Sequence, residues 1–329
     1  VSAMTAVARD EVSHLATVSK LLARRGGRLT RSHGNPYAAS LQATSAELGV
    51  IIPPSIPLIL YGVSAEVSIG ELFIAGIGPG LFIGAALMLF VWVYCKYKGW
   101  GQNDGEGRLG VGRATLKAGW ALLMPVIILG GIYGGVFTPT EAAAVAVFYA
   151  LLVGMVIYRE IRITDLYGIL RKSVLSSAVI MFIIANAGLF AFLLTRAGVP
   201  EAIGLWLKDI LESPGLFLLG VNITLFLIGM FIETSAAILV LAPILVPVAM
   251  YFGIDPVHFG LIMVVNLAMG MITPPFGVNL FAACTVARLS LDKVIKGLVP
   301  FGLVGFACLM IITYFPALSL TLRDLLYAR

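Results

Sequence analysis

Four stretches of the chain, residues 71–97, 173–195, 214–232 and 297–318, run almost without charge for the length of a membrane crossing. Each is long enough to span ~30 Å of hydrocarbon as a helix. Further apolar stretches lie at 43–63, 118–135, 137–158, 235–252 and 257–287, several of them interrupted by Pro or Gly. Six to nine segments are therefore expected. With 60% hydrophobic and only 12% charged residues, a soluble domain could not cover its surface. The predicted fold class is an all-α polytopic membrane protein. Cys95, Cys284 and Cys308 sit in or beside apolar segments without metal-ligand spacing, which makes them packing residues rather than a disulfide framework.

Charge is unevenly placed. Residues 1–34 carry Arg9, Lys20, Arg24, Arg25, Arg28 and Arg31 against Asp10 and Glu11. This basic run lacks the apolar core of a signal peptide, and without interleaved aromatics it does not read as a nucleic-acid-binding arm. The loops at 96–117 and 159–172 are both Lys/Arg-rich, so the positive-inside rule places both in the cytoplasm. Residues 118–158 then make an even number of crossings or a surface arm. The 196–213 loop, with more acids than bases, is expected outside.

Two double prolines stand out. "GVIIPP" (49–54) and "GMITPP" (270–275) match at an offset of 221, which also joins Gly76 to Gly297, Pro79 to Pro300 and Gly84 to Gly305. Asn35-Pro36 pairs with Asp255-Pro256 at 220. Residues 35–93 and 255–314 thus read as two copies of one unit. A proline inside a helix removes a hydrogen bond and clashes with the preceding turn, at ~3 kcal/mol, so each di-proline should unwind its segment. Unwound backbone at membrane depth is tolerated only where it is buried or lines a cavity. Matched breaks in two repeats point to the binding site of a secondary transporter. A second discontinuity, "GMFIETSAA" (229–237), ends one apolar run and starts another. The run after it is short and carries Pro243 and Pro247, which fits a re-entrant hairpin with its tip near Glu233–Ala236. Its hydroxyl and carbonyl oxygens, set against the break at Gly270–Pro274, suit a hard cation such as Na⁺ rather than a transition metal. Glu233 is either an ion-site residue or a helix cap. Asn186, Asn222 and Asn266 either line a path or bond between helices; Asn266, four residues before Gly270, is the strongest path candidate.

"ATSAELGVIIPPSIPLILYG" (43–62), "GGIYGGVFTPTEAAAVAVFYAL" (130–151), "GMFIETSAAILVLAPILVP" (229–247) and "NLAMGMITPPFGVNLF" (266–281) together resemble the large membrane subunit of TRAP transporters, the DctM-like proteins. The resemblance covers residues 35–329, and its most specific block, Thr138-Pro139-Thr140-Glu141-Ala142, is also a Pro-started helix with Thr138 as cap. It implies an inverted-repeat, elevator-type carrier in the bacterial inner membrane, driven by Na⁺ as coupling ion and without other cofactor. It also implies three partners: a small membrane subunit, a periplasmic solute-binding protein and an organic-acid solute such as a dicarboxylate. Carried over by position, the first Na⁺ site takes backbone around Gly49, Val50 and Pro53. The second takes Thr234, Ser235, Gly270 and Thr273, with Glu233 beside them. Ser55 and Asn279, just past the breaks, are candidates to face the solute.

The implied domains are an atypical basic segment at 1–34, the first-repeat broken helix and following helix at 35–97, scaffold or arm helices at 98–213, and the second repeat at 214–329. Residues 1–34 do not resemble the family's first hairpin, so a truncated or frame-disrupted, inactive version of the subunit stands as one alternative. Another elevator-type transporter or channel is a second. An intramembrane enzyme using Glu233 and His258 with Asp255 nearby is a third, without any recognised catalytic motif behind it; His258 itself is expected in a loop or at an interface.

Overall fold

The computed structural model describes residues 36–99, 111–210, 213–275, 277–287 and 289–327; the basic segment 1–34 lies outside them. The described residues are helices and turns, without a strand. Among the described residues, five helices are long and apolar enough to cross a membrane, six if a bent pair is counted as one span.

Each copy of the repeat folds the same way. In the first, α1 (Pro36–Ser45) and α2 (Leu48–Ile51) lead into the double proline, α3 (Ile56–Ser64) follows it, and α4 (Ile69–Lys98) completes the unit. The line of the chain bends by 44° across that break. The second copy is reached through α5 (Val111–Tyr133), α6 (Pro139–Leu152) with a π-helical turn (Val153–Ile157), α7 (Ile163–Arg196), α8 (Val199–Ile210), α9 (Pro214–Gly229) and α10 (Thr234–Tyr251). It runs through α11 (Pro256–Gly270), the second double proline, α12 (Val278–Ala287) and α13 (Leu291–Tyr314), and α14 (Ala317–Leu326) ends the described chain. The Pro53–Pro54 and Pro274–Pro275 peptides are both cis.

The two copies interlock crosswise. α1 packs against α13 and α12 of the other copy, and α11 packs against α4 and α3. Ile51 and Ile272 are counterparts at the 221 offset. Ile51 is buried with Val265 of α11, whereas Ile272 is buried with Ala39 and Ala43 of α1. The hydroxyl of Tyr61 on α3 donates to the Pro256 carbonyl at the start of α11, at 2.6 Å. α11 is thereby enclosed on all sides, with every residue from Val257 to Gly270 buried.

Not every matched proline breaks its helix. Pro79 lies within α4 and Pro300 within α13, and both helices continue through them. One proline deletes one ladder bond, which a long helix supported by neighbours survives. The small residues around these prolines serve close packing instead. A Cβ on Gly297 would lie 2.6 Å from Ser40 Oγ and 2.9 Å from the Pro36 carbonyl oxygen, and one on Gly80 would lie 2.5 Å from Ile52 Cγ1.

Three expectations need correction. The 196–213 segment is not simply a loop, because α8 occupies most of it. α10 runs unbroken through Pro243 and Pro247, as flanking helices supply the support that isolated prolines remove. His258 is not in a loop: it is buried in α11 at the interface with α13, where its Nε2 lies 3.2 Å from the Thr313 carbonyl, because Asp255 caps α11 through the Val257 and His258 N–H groups and so starts it before the histidine.

The remaining helices are peripheral. α5 and α6 form a helical hairpin in which the Tyr149 hydroxyl donates to the Trp120 carbonyl at 2.7 Å, so the chain returns to the side it left. Thr138 and Glu141 form a capping box at the start of α6, which accounts for the Thr-Pro-Thr-Glu block physically. α7 exposes apolar side chains along its length, among them Val174, Leu175, Met181, Phe182 and Leu189, the pattern of a lipid-facing or subunit-facing helix. Asn186 bonds the Phe182 carbonyl within the same helix and is not interhelical glue.

Since α13 reaches α1 only because residue 297 lacks a side chain, Gly297→Val should separate the two repeats. The expected outcome is a large drop in melting temperature or loss of monodisperse protein in detergent, by fluorescence-detected thermal melts, with Gly302→Val, which meets nothing within 4 Å, as the tolerated control.

Candidate ion-binding site

The second break is assembled from two close approaches. α9 and α11 run in the same direction and meet at their C-terminal ends. A Cβ on Gly270 would lie 2.4 Å from the Gly229 carbonyl carbon and 2.5 Å from its Cα. A side chain at 270 would forbid this backbone-to-backbone contact, and one at 229 would crowd it, its Cβ lying 3.0 Å from the Leu267 carbonyl oxygen. It brings the turn after α9, residues 230–233, alongside the turn after α11. Both arms of the hairpin, α9 and α10, pack more extensively on α11 than on each other, so the hairpin straddles the broken helix.

At the hairpin tip, Glu233 caps α10. Its carboxylate accepts from the Ala236 N–H at 3.1 Å and from the Ser235 hydroxyl at 2.8 Å. Thr234 is buried, and its hydroxyl lies 2.9 Å from the Met271 sulfur across the gap. On the break side, the Thr273 hydroxyl donates to the Met269 carbonyl at 2.9 Å. The Asn279 and Gly277 N–H groups bond the Met271 and Thr273 carbonyls. A Cβ on Gly277 would lie 3.1 Å from both of those carbonyl oxygens, so the returning backbone also folds tightly against the break.

The first break is built differently. Ser55 is buried, caps α3 through the Leu58 N–H at 3.3 Å, and donates its hydroxyl to the Val50 carbonyl. Pro53 is buried, Val50 is half-buried and Gly49 is exposed, with nothing within 4 Å of where a Cβ would stand. No hairpin tip among the described residues faces it as 230–236 face the second break. Ser55 is therefore turned onto the break itself, and Asn279 is half-buried beside the second.

Asn266 is fully buried. Its amide donates to the Asn222 side-chain oxygen at 2.6 Å and main-chain oxygen at 3.0 Å, an interhelical bond to α9. Sequence reasoning named both asparagines but could not pair them, since nothing in either segment specifies the 44-residue partner. It also missed Glu47, whose carboxyl is buried in the turn between α1 and α2 with Oε1 unpartnered. Its isolation in an apolar run was the available signal.

The donor set at the second break is hydroxyl and carbonyl oxygen, and a hydroxyl that donates one hydrogen bond keeps lone pairs for a cation. Among the described residues no cluster of His, Cys, Asp and Glu could hold a metal ion. Oxygen donors of this kind suit hard cations. Glu233 and His258 lie toward opposite ends of α11, some 20 Å of helix long, and form no acid–base pair.

Broken helices in two interlocked repeats, one faced by a helical hairpin, define a polytopic secondary-transporter fold. The family model of the "Tripartite ATP-independent periplasmic transporter, DctM component" matches residues 4–318, reaching nearer the start of the chain than the motifs quoted above. The chain is 43% identical to the C4-dicarboxylate TRAP transporter large permease protein DctM of Pseudomonas aeruginosa, over 91% of this chain and 70% of that protein. It is 42% identical to the isethionate TRAP transporter permease protein DctMQ of Oleidesulfovibrio alaskensis, over 88% of this chain and 46% of that protein. With the 2,3-diketo-L-gulonate TRAP transporter large permease protein YiaN of Escherichia coli it shares 37% identity, over 96% and 74%. The chain belongs to the DctM family of TRAP transporter large permeases, multi-pass proteins of the bacterial inner membrane.

Gly270→Ala should force α9 off α11. Thermal melts of the purified protein should show a fall of several degrees, whereas Gly220→Ala, on the same arm α9 and with nothing within 4 Å, should melt like the parent.

Proposed function

We propose that this chain is the transport subunit of a Na⁺-driven, binding-protein-dependent importer of organic acids. The observation that carries the reading is the second break, where a re-entrant hairpin tip with a buried threonine is pressed against an unwound helix end that offers carbonyl oxygens. Such an end has the negative pole of the helix dipole, and α11 is enclosed by protein rather than lipid, as unwound backbone at membrane depth requires. In this reading Thr234, Ser235, Gly270 and Thr273 hold the second ion, Glu233 fixes the tip through its cap, and Gly49, Val50 and Pro53 serve the first. Asn279 then faces the solute between the two breaks, while Ser55, turned onto the first break, holds the Val50 carbonyl in place.

Na⁺ supplies the driving gradient when bound; the chain's own part is to order tip and break into one closed surface. In this reading the two crosswise-packed repeats are inverted across the membrane, and alternating access is an elevator movement of the broken-helix core against peripheral helices such as α5–α7. The relatives' names cite C4-dicarboxylate, isethionate and diketogulonate, two carboxylates and a sulfonate, which supports a small organic-acid anion as the solute here. The relatives are permeases rather than enzymes, and the solute would cross chemically unchanged. The name DctMQ, and this chain's 46% coverage of that protein, support a small membrane subunit as partner, and the family description supports a periplasmic solute-binding protein.

Proteoliposomes holding this chain with the small subunit should accumulate a labelled organic acid when an inward Na⁺ gradient and the cognate binding protein are both supplied. Uptake that persists with K⁺ in place of Na⁺, or without the binding protein, overturns the reading. Thr234→Val should raise the Na⁺ concentration for half-maximal uptake by about tenfold, equivalent to the ~1.4 kcal/mol of one lost polar ligand.

A further inference from the structure

Behind the second break runs a buried chain of polar groups that the ion reading does not use. Asn266 on α11 bonds Asn222 on α9. The Asn222 amide donates to the Thr313 hydroxyl on α13 at 3.0 Å. That hydroxyl donates in turn to the Leu309 carbonyl at 2.8 Å, and the Thr313 carbonyl lies 3.2 Å from His258 Nε2 on α11. Asn222, His258, Asn266 and Thr313 are all at most 3% exposed.

Fold stability alone is a poor explanation for this arrangement. Interhelical hydrogen bonds in membrane proteins average only ~0.6 kcal/mol. The chain also leaves Asn266 Oδ1 and His258 Nδ1 buried without a partner, and an unpaired buried acceptor costs ~1–3 kcal/mol. An apolar trio would hold the three helices at least as well. What the polar chain adds is direction, since hydrogen bonds fix axial and rotational register where apolar contacts allow sliding.

The register it fixes is the one the candidate site needs. Asn222 lies two turns before Gly229, and Asn266 lies about one turn before Gly270. The asparagine bond and the glycine contact are thus two successive fastenings between the same pair of helices, and the second places the hairpin tip against the break. We infer that Asn222, Asn266 and Thr313 are positioning residues that set the cation affinity of the second break from a distance, by locking α9 to α11 through α13. This rests on the reading of that break as an ion site. Thr313 makes the sharpest probe, because its bonds run to Asn222, Leu309 and His258 and to none of the proposed ion-site residues.

The test measures the melting temperature of the purified chain as a function of Na⁺, at constant ionic strength with K⁺. Three variants are compared. Thr313→Val keeps the shape and removes the hydroxyl, Thr313→Ser keeps the hydroxyl, and Ile262→Ala removes buried apolar volume from α11. Because an ion bound at free concentration c stabilises by RT ln(1 + c/Kd), each series of melts yields an apparent Kd for Na⁺. The expected result is a rise of at least fivefold in that Kd in Thr313→Val, with Thr313→Ser within twofold of the parent. Ile262→Ala should lower the melting temperature at every Na⁺ concentration without moving the Kd. If Thr313→Val does not fold, Asn266→Ala should show the same displacement. A Kd within twofold of the parent in the hydroxyl-deleted or amide-deleted variant overturns the inference while leaving the ion reading intact. So does an equal displacement in Ile262→Ala. A parent whose melting does not respond to Na⁺ overturns both.

Discussion

The contact on which the second repeat depends is the meeting of Gly229 and Gly270, backbone against backbone, at the ends of two helices that run the same way. In a bilayer there is no water to satisfy the groups freed where a helix ends, so an unwound stretch must be buried against protein. Two glycines allow the hairpin to approach closely enough to do this. The same closeness sets Thr234 over Met271 and puts the hydroxyls of the tip beside the carbonyls of the break. Packing and candidate chemistry therefore rest on one steric condition.

Around that contact, the two repeats solve a shared problem by enclosing each other. A broken helix cannot face lipid, and neither copy has enough surface to cover its own break. Each first helix lies instead against the last and post-break helices of the other copy. A small residue makes the approach of α1 to α13 possible, since a Cβ on Gly297 would lie 2.6 Å from Ser40 Oγ; within each copy, matched contacts repeat, Gly84 facing Leu48 and Gly305 facing Met269, and Leu48 and Met269 are themselves counterparts at the same offset. A carrier that moves such a core would move both breaks together, because neither can leave the other without exposing unpaired backbone.

Much of this was legible in the sequence because proline and glycine act locally. The double prolines at 53–54 and 274–275 end helices wherever they stand, and Glu233 announces a helix start through its own side chain; the caps at Ser55 and Asp255 became visible only in the structure. The same reasoning misjudged Pro243 and Pro247, since whether one proline breaks a helix depends on the neighbours that support it. Charge alone makes residues 196–213 look like a loop, although α8 forms there between α7 and α9. Family resemblance supplied the expected site residues; the described structure gathers the tip and break groups of the second site, and shows the first break without a facing tip.

The sequence by itself determined that the chain lies in a membrane, that it repeats, and where its helices break, since apolar length, matched spacing and proline chemistry are all properties of neighbouring residues. Only the tertiary structure decided that Asn222 finds Asn266, that Tyr61 reaches Pro256, and that Gly229 touches Gly270. Those are meetings across 41 to 195 positions of chain, set by how whole helices pack, and no local rule of backbone or side chain encodes them.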